Sequence, residues 1–320
     1  GRRDPVVSQA ASTEAMRTLL TREAKRTLLC AGYYARRLRA DRFPGVAVLC
    51  YHGVRDDRWA AGTMVFEDLH VRAGELEAHC RLLRETCQPI SLTDWRTALR
   101  NGSSLPARPV LVTFDDGYRT VFTLARPLLQ RYGIPAAVFV CSQPVERRRL
   151  FWHDAVAQAC GEPEVQRLKA APFNQWQTSC EQYAREAAGD DPHAPLTAAE
   201  VRALAATAGI EIGAHTVAHP ILARASRAEQ REQIQRNKTV LEQWTGGAVT
   251  AFAYPNGRPE VDYTKDTVEL VKESGFALAF TTRHGFAGTA EPALEHSRFL
   301  MLAGISAAEL AHRLCHSWRR

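Results

Sequence analysis

The chain contains 320 residues, of which 45% are hydrophobic, and its formal net charge at pH 7 is +6. This length and apolar fraction are enough for one large domain with a sizeable core. The basic residues are spread along the chain without a helix-turn-helix, zinc-finger or RNA-binding signature, so we expect no nucleic-acid partner. No segment has the length and apolarity of a transmembrane helix.

Residues 1–42 predict an N-terminal basic amphipathic helical extension. The favoured interpretation is a helix that packs on the rest of the chain with a solvated basic face. The alternative is peripheral contact with an anionic membrane. The apolar stripe comprises Met16, Leu20, Ala24, Leu28, Ala31, Ala35 and Leu38. The other faces carry Arg17, Arg22, Lys25, Arg26, Arg36, Arg37 and Arg39.

From residue 43 onwards, strand-like runs alternate with helical patterns, which indicates a parallel sheet with outer helices. The predicted strands cover residues 46–52, 88–92, 109–114, 136–140, 210–213, 250–254 and 276–281. The predicted helices cover residues 69–86, 119–133, 197–209, 227–245 and 265–275. A segment at about residues 144–196 falls outside this alternation and is interpreted as an insertion.

Two adjacent carboxylates, Asp115 and Asp116, end the apolar run 109–114, which is typical of a buried strand. Adjacent side chains diverge near a strand end, so one acid can bind a metal while its neighbour faces a bound water. An isolated Asp-Asp-Gly is usually a turn, and this motif alone is therefore weak.

Two histidines, His215 and His219, follow the strand-like run 210–213. On a helical turn their spacing of four would place both imidazoles on one face, within reach of a single ion. Together with one aspartate they leave coordination positions open for water and substrate, as a hydrolytic metal requires. Because both motifs lie at predicted strand ends, the sequence predicts a metal-dependent hydrolase.

The two motifs at 113–117 (TFDDG) and 215–219 (HTVAH), followed by 252–257 (FAYPNG), resemble the first three motifs of the polysaccharide deacetylases, carbohydrate esterase family 4. The resemblance covers roughly residues 45–302. It implies an α/β fold, a distorted (β/α)7 barrel with an N-terminal helical extension and a helical insertion. Residues 43–320 would then form the catalytic domain.

The resemblance also implies roles for single residues. Asp115 would be the general base, and Asp116, His215 and His219 would hold a divalent metal, with Zn²⁺ favoured and Co²⁺, Ni²⁺ or Fe²⁺ left open. The water that the metal activates would give its proton to Asp115 and attack an N-acetyl carbonyl. The Asn256 backbone N–H would stabilise the oxyanion. Further residues considered on the substrate side are Tyr254, Tyr118 and Trp152. The favoured interpretation of Trp152 is nevertheless a small structural core, and His153 is favoured as a structural residue rather than a metal ligand.

A protonated histidine would deliver a proton to the leaving amine, and we favour His52. This residue ends the predicted strand 46–52, which resembles the arrangement in poly-N-acetylglucosamine deacetylases, where the last barrel strand is permuted to the front of the chain. Two Leu-x-His segments leave His296 and His312 as alternatives.

The third motif departs from the family pattern, because Ala253 stands where the family has an arginine that orients the catalytic aspartate. Arg298 lies in the C-terminal segment that carries Leu-Pro-Arg in the permuted relatives. We expect Arg298 to supply the missing charge and to keep Asp115 ionised.

The sequence therefore predicts a metal-dependent N-deacetylase that acts on an N-acetylated glycan or a lipid-linked sugar. The alternatives are an amidase or deacylase of the same fold with another substrate, and a non-catalytic glycan-binding relative. The eight cysteines contain no CxxC pattern and suit reduced thiols, and no signal peptide is recognised. We expect a cytoplasmic protein, with membrane association through the N-terminal helix as the alternative to a helix packed on the barrel.

Overall fold

The computed structural model describes residues 20–288 and 290–317, and a parallel barrel lies at its centre. In chain order the strands are β1 (Ala47–Tyr51), β2 (Val54–Arg55), β3 (Val71–Arg72), β4 (Gln88–Pro89), β5 (Pro109–Phe114), β6 (Ala136–Val140), β7 (Ile210–Ala214), β8 (Ala251–Ala253), β9 (Leu278–His284) and β10 (His296–Leu300). The order β1-β10-β9-β8-β7-β6-β5 closes into a ring because β1 pairs with both β10 and β5. The predicted (β/α)7 barrel is confirmed.

Helices surround the barrel and fill most of the connections between strands. They are α1 (described over residues 20–30), α2 (Tyr33–Ala40), α3 (Ala73–Thr86), α4 (Leu92–Asn101), α5 (Arg126–Tyr132), α6 (Ser142–Arg147), α7 (Trp152–Cys160), α8 (Glu162–Ala170), α9 (Phe173–Gln182), α10 (Ala198–Ala205), α11 (Arg227–Thr245), α12 (Lys265–Glu273) and α13 (Ala307–His316). A π-helical segment, Val121–Ala125, precedes α5. Helices α6 to α9 occupy most of the predicted insertion.

Local sequence signals fix several helix ends. Helix α11 begins after Ser226, whose hydroxyl accepts the N–H of Glu229 while the Glu229 carboxylate accepts the N–H of Ser226. The same helix ends at Gly246, where a φ of +69° suits glycine because it has no Cβ. These capping signals explain why the predicted bounds of 227–245 agree with the structure.

One of the seven strands that form the barrel differs from the prediction. The predicted strand 88–92 shrinks to β4, which pairs only with the start of β5 and lies outside the ring. The seventh barrel strand is instead β10, which was absent from the predicted strands. Its polar residues Ser297 and Arg298 interrupt the apolar pattern, although both side chains are buried.

Side chains alternate between the inside of the barrel and the layer beneath the helices. On β5, Leu111 belongs to the interior cluster with Phe139 and Phe280, whereas Val110 and Val112 pack in the outer core. The next inward position after Leu111 is Thr113, followed by Asp115 just beyond the strand end. The alternation therefore directs Asp115 towards the barrel axis at its carboxyl end.

The predicted N-terminal extension divides into two parts. In α2, Tyr34 and Leu38 are buried, and the Tyr34 hydroxyl lies 3.0 Å from His312 Nδ1 on α13. In α1, by contrast, Leu20 and Leu28 are exposed. The stripe residue Met16 and the basic Arg17 lie outside the described residues, as do 318–320 of the predicted catalytic domain. Within the described part of the chain, no helix is long and apolar enough to cross a membrane.

Close packing of the barrel interior makes Gly213 on β7 intolerant of a side chain. A Cβ at this position would lie 2.3 Å from Phe139 Cδ1 and 2.4 Å from Phe139 Cε1. We expect Gly213→Ala to lower the free energy of unfolding by about 1–3 kcal/mol through overpacking. Urea unfolding followed by circular dichroism measures this change.

The matched control is Gly247→Ala, because a Cβ at Gly247 meets no heavy atom within 4 Å. An equal loss of stability in both variants would contradict the assignment of Gly213 to a tightly packed barrel wall.

Candidate functional site

The residues singled out by the sequence converge at the carboxyl end of the barrel. Asp115 and Asp116 follow β5, and His215 follows β7. His52 follows β1, and Asn256 lies in the loop after β8. Since the carboxyl ends of parallel strands meet at one face of a barrel, these side chains come from four separate strands to a single site.

Arg298 on β10 binds Asp115 through two parallel hydrogen bonds. Its Nη1 donates to Oδ1 at 2.8 Å, and its Nη2 donates to Oδ2 at 2.7 Å. A third bond, from Nε to the Thr281 carbonyl at 2.8 Å, fixes the plane of the guanidinium. Burial alone would raise the pKa of Asp115, but the charges of Arg298 and His215 outweigh it and hold this pKa below its ordinary value. Asp115 is therefore a buried, ionised carboxylate.

Asp116 faces both histidines of the second motif. Its Oδ1 lies 3.2 Å from His215 Nε2 and 3.3 Å from His219 Nε2. The backbone of Asp116 has a φ of +71°, which turns this carboxylate away from that of Asp115. Burial opposes ionisation of Asp116, but the histidines outweigh it and hold its pKa well below the ordinary value.

The tautomer of His215 makes this cluster suitable for a cation. Its Nδ1 donates to the Ala253 carbonyl at 2.7 Å, so in the neutral ring the lone pair on Nε2 points at the carboxylate of Asp116. Burial lowers the pKa of His219 to about 4, which keeps that ring neutral. Asp116 Oδ1 is buried and has no hydrogen-bond donor among the described residues. The donor set of one carboxylate and two imidazoles fits a divalent metal.

A second group of metal-binding atoms overlaps with the first. Ligand atoms of Asp116, Cys141 and His215 lie within 4.8 Å of one another. Burial raises the pKa of Cys141 well above its ordinary value, and its Sγ donates to the His215 carbonyl at 3.1 Å. We favour His219 as the third ligand, because its Nε2 faces the same oxygen of Asp116 as His215 Nε2, whereas the Cys141 thiol is engaged with a carbonyl. Cys141 was not among the predicted ligands, although it directly follows β6.

The segment 215–219 is not a helical turn. The expectation that a helical turn places both imidazoles on one face is therefore wrong. Thr216 and His219 have φ values of +68° and +59°, and the His219 N–H donates to the Thr216 hydroxyl at 3.0 Å. Two amide side chains of α11 hold the segment. Asn237 accepts the His215 N–H at 3.0 Å, and Gln233 accepts the Ala218 N–H at 3.0 Å. The sequence analysis missed both amides.

Among the three candidates for the general acid, His52 is the one that lies beside Asp115 and Asp116. It is half-buried, it lies within electrostatic reach of both Asp115 and Asp116, and its buried Nδ1 has no hydrogen-bond partner in the described parts of the chain. The two alternatives lie elsewhere. His296 begins β10 at the opposite end of the barrel and packs 4.5 Å from the Trp95 ring, and His312 contacts Tyr34 outside the barrel.

Three residues expected on the substrate side, Tyr254, Tyr118 and Trp152, have buried side chains that contact other parts of the chain. Tyr254 is fully buried, stacks on Tyr263 at 3.9 Å and donates its hydroxyl to the Leu294 carbonyl. Tyr118 donates its hydroxyl to Asp154 Oδ2 at 2.8 Å. Trp152 packs against Trp176, and its indole N–H donates to the His219 carbonyl at 2.9 Å. The sequence placed these residues beside the motifs but did not indicate which way their side chains turn.

Asn256, the expected oxyanion donor, lies in the loop after β8 with its peptide held in place. Its φ is +56°, and the Thr282 hydroxyl donates to its carbonyl at 2.7 Å, which fixes the peptide. Its backbone N–H donates to no acceptor among residues 20–288 and 290–317. An unused backbone donor beside the metal-binding cluster can stabilise a negatively charged oxygen.

The chain is similar to known proteins in sequence and in fold. The family model described as polysaccharide deacetylase matches residues 102–279. A poly-beta-1,6-N-acetyl-D-glucosamine N-deacetylase of Escherichia coli strain K12 is 37% identical over 93 residues, which are 29% of this chain and 13% of that protein. The chain thus spans only about an eighth of the length of this curated relative.

Two solved structures share the fold. Streptococcus pyogenes deacetylase PplD in complex with acetate has a TM-score of 0.64 and 21% identity, over 85% of this chain and 99% of that one. IcaB from Ammonifex degensii has a TM-score of 0.61 and 22% identity, over 86% of this chain and 98% of that one.

The contact between Trp152 and the His219 carbonyl predicts that this indole supports the metal-binding segment. In Trp152→Phe the carbonyl loses its donor, and we expect the free energy of unfolding to fall by about 1–3 kcal/mol. We also expect weaker Zn²⁺ binding, because the backbone that orients His219 loosens. Urea unfolding and competition with a chromophoric chelator measure the two effects.

Trp176→Phe is the matched control, because the indole N–H of Trp176 has no partner among the described residues. If both variants bound Zn²⁺ equally, the hydrogen bond from Trp152 would have no part in holding His219.

Proposed function

Because the chain belongs to the polysaccharide deacetylase family, we propose that it is a metal-dependent hydrolase that removes N-acetyl groups from an amino sugar in a polysaccharide or glycan precursor. The observation that carries the proposal is the pair of adjacent carboxylates with separate surroundings. Asp115 is bound by Arg298, whereas Asp116 faces two histidines. One acid is thereby suited to proton transfer and the other to metal binding.

In this proposal Asp116, His215 and His219 hold the metal, with Zn²⁺ favoured. When bound, the metal acts as a Lewis acid that lowers the pKa of water to near neutrality. The chain's own contribution is to orient both imidazoles and to keep His219 neutral. The bond from His215 Nδ1 to the Ala253 carbonyl supports the orientation of His215, and burial lowers the pKa of His219 to about 4.

Proton transfer is assigned to Asp115 and His52. Asp115 accepts the proton of the attacking water, and Arg298 keeps its carboxylate ionised and fixed in orientation. The Asn256 N–H donates to the oxygen of the acetyl carbonyl as negative charge develops there. His52, when protonated, gives its proton to the sugar nitrogen as the C–N bond breaks, which releases acetate and a free amine.

A lipid-linked sugar at a membrane surface is part of the proposal. The exposed Leu20 and Leu28 on α1, with the basic Arg22 and Arg26 between and beside them, support peripheral contact with an anionic membrane. A reducing, cytoplasmic location is supported by the eight cysteines, all of which are free thiols.

The central test is Asp115→Asn. Because an amide cannot accept the proton of the attacking water, we expect acetate release from N-acetylglucosamine oligomers to fall about 10²–10⁴-fold while metal content stays unchanged. Acetate is measured enzymatically and the metal by atomic emission. Treatment of the native protein with a chelator should also abolish release, and added Zn²⁺ should restore it.

The other outcomes separate the alternatives. Acetate release that is indifferent to Asp115 and to chelation would overturn the mechanism. A metal-loaded protein that releases no acetate from oligomers but cleaves another amide would be an amidase or deacylase. A protein that binds oligomers equally well with and without the substitution, and never cleaves them, would be a glycan-binding module.

The role of Arg298 is tested by two substitutions. Arg298→Met leaves Asp115 buried without its cation, and we expect kcat to fall at least about tenfold with little change in KM. Arg298→Lys keeps the charge without the bidentate geometry and should recover part of kcat. Initial rates on oligomers measure both, with thermal unfolding as the check that each variant is folded. Equal kcat in a folded Arg298→Met variant would remove Arg298 from the mechanism.

A further inference from the structure

The insertion brings a lysine to the rim of the site. Lys169 lies in the last turn of α8, and its Nζ donates to Asn256 Oδ1 at 2.8 Å. The positive charge of Lys169 also lowers the pKa of His219, and the negative charge of Asp116 acts to raise the pKa of Lys169. The ammonium therefore lies within electrostatic reach of the metal-binding cluster, on the side where the oxyanion donor Asn256 is placed.

Lys169 makes no ion pair with any residue in the described parts of the chain. The carboxylate with the largest effect on it, Asp262, is already bound by Arg258 through contacts of 2.9 and 3.0 Å. An ammonium has three N–H donors, and Lys169 uses one of them on a neutral amide oxygen. The other two donors have no acceptor among the residues that the structure describes.

Asn256 adds a further donor at the same place. Its Nδ2 is buried and has no hydrogen-bond partner in the described residues, while its Oδ1 is occupied by Lys169. Buried donors without acceptors are uncommon because they lose their bonds to water on folding. Burial lowers the pKa of Lys169 as well, which reflects the cost of holding this charge away from solvent. A group rich in acceptor oxygens would satisfy both side chains.

We propose that Lys169 and the Asn256 side chain bind an anionic oxygen substituent of the substrate, a carboxylate or a phosphate on or next to the N-acetylated sugar. The inference rests on the proposed deacetylase function and narrows its substrate class to acidic glycans or sugar phosphates. A single positive charge without a counter-ion, beside a site that holds a divalent cation, favours an anion over a neutral sugar.

Acetate release from four probes tests the substrate preference. The carboxylate pair is a hyaluronan tetrasaccharide and the neutral N-acetylglucosamine tetramer; the phosphate pair is N-acetylglucosamine 1-phosphate and free N-acetylglucosamine. We expect the native protein to prefer one anionic probe over its neutral match. In Lys169→Met this preference in kcat/KM should fall about 10–100-fold. Lys169→Arg should keep most of it, because the charge remains.

Lys272→Met is the control for net charge, since Lys272 is exposed on α12 far along the chain from the insertion. It should leave the preference unchanged. A native protein that cleaves both neutral probes at least as well as the anionic ones would overturn the proposal. A loss in Lys169→Met that is equal for anionic and neutral probes would overturn it too.

A binding measurement separates this inference from the proposed function. Calorimetric titration of Zn²⁺-loaded Asp115→Asn with the same probes, with and without Lys169→Met, reports anion binding where no turnover occurs. If no probe releases acetate but an anionic probe binds through Lys169, the deacetylase proposal fails and the anion subsite stands. If acetate is released and Lys169→Met leaves the affinity for both anionic probes unchanged, only the subsite fails.

Discussion

The rest of the site depends on the buried ion pair between Asp115 and Arg298. Neither side chain is more than 4% exposed, and two hydrogen bonds of 2.8 and 2.7 Å join them. Taking two charges out of water is costly, and removing one partner of such a pair typically costs about 3–5 kcal/mol because the other charge stays buried. The fold is therefore less stable whenever β5 and β10 do not hold these two side chains in contact. The same contact keeps Asp115 ionised.

The closure of the barrel through β1 provides that positioning. Cys50 on β1 pairs with Thr113 on β5 and with Leu300 on β10, so one strand sets the register of both. The Sγ of Cys50 also donates to Asp115 Oδ2 at 3.4 Å, and His52 lies two residues further along the chain. The pairing of β1 with both β5 and β10 thus sets the relative positions of Asp115, Arg298 and His52.

Sequence patterns predicted structural features that depend on neighbouring residues in the chain. They failed for features that depend on contacts between distant segments. Asp115 and Asp116 were recognisable as polar residues ending an apolar strand. The backbone at His219 was not, because it follows from the long-range bonds that the amides of α11 make to the preceding residues. The position of Tyr254 followed from its motif, but its orientation did not, because stacking on Tyr263 determines it.

The charges of the site explain why its surroundings matter for the choice of substrate. Asp115 and Arg298 neutralise each other, so Asp116 is the remaining anion of the proposed metal site, while Lys169 adds a positive charge nearby. With a divalent metal in that site, the excess of positive charge would favour negative charge on the acetyl oxygen in the transition state, since fixed charges act strongly where water is excluded. It would act equally on any anion that the substrate already carries, so the field of the proposed catalytic site would also select among glycans.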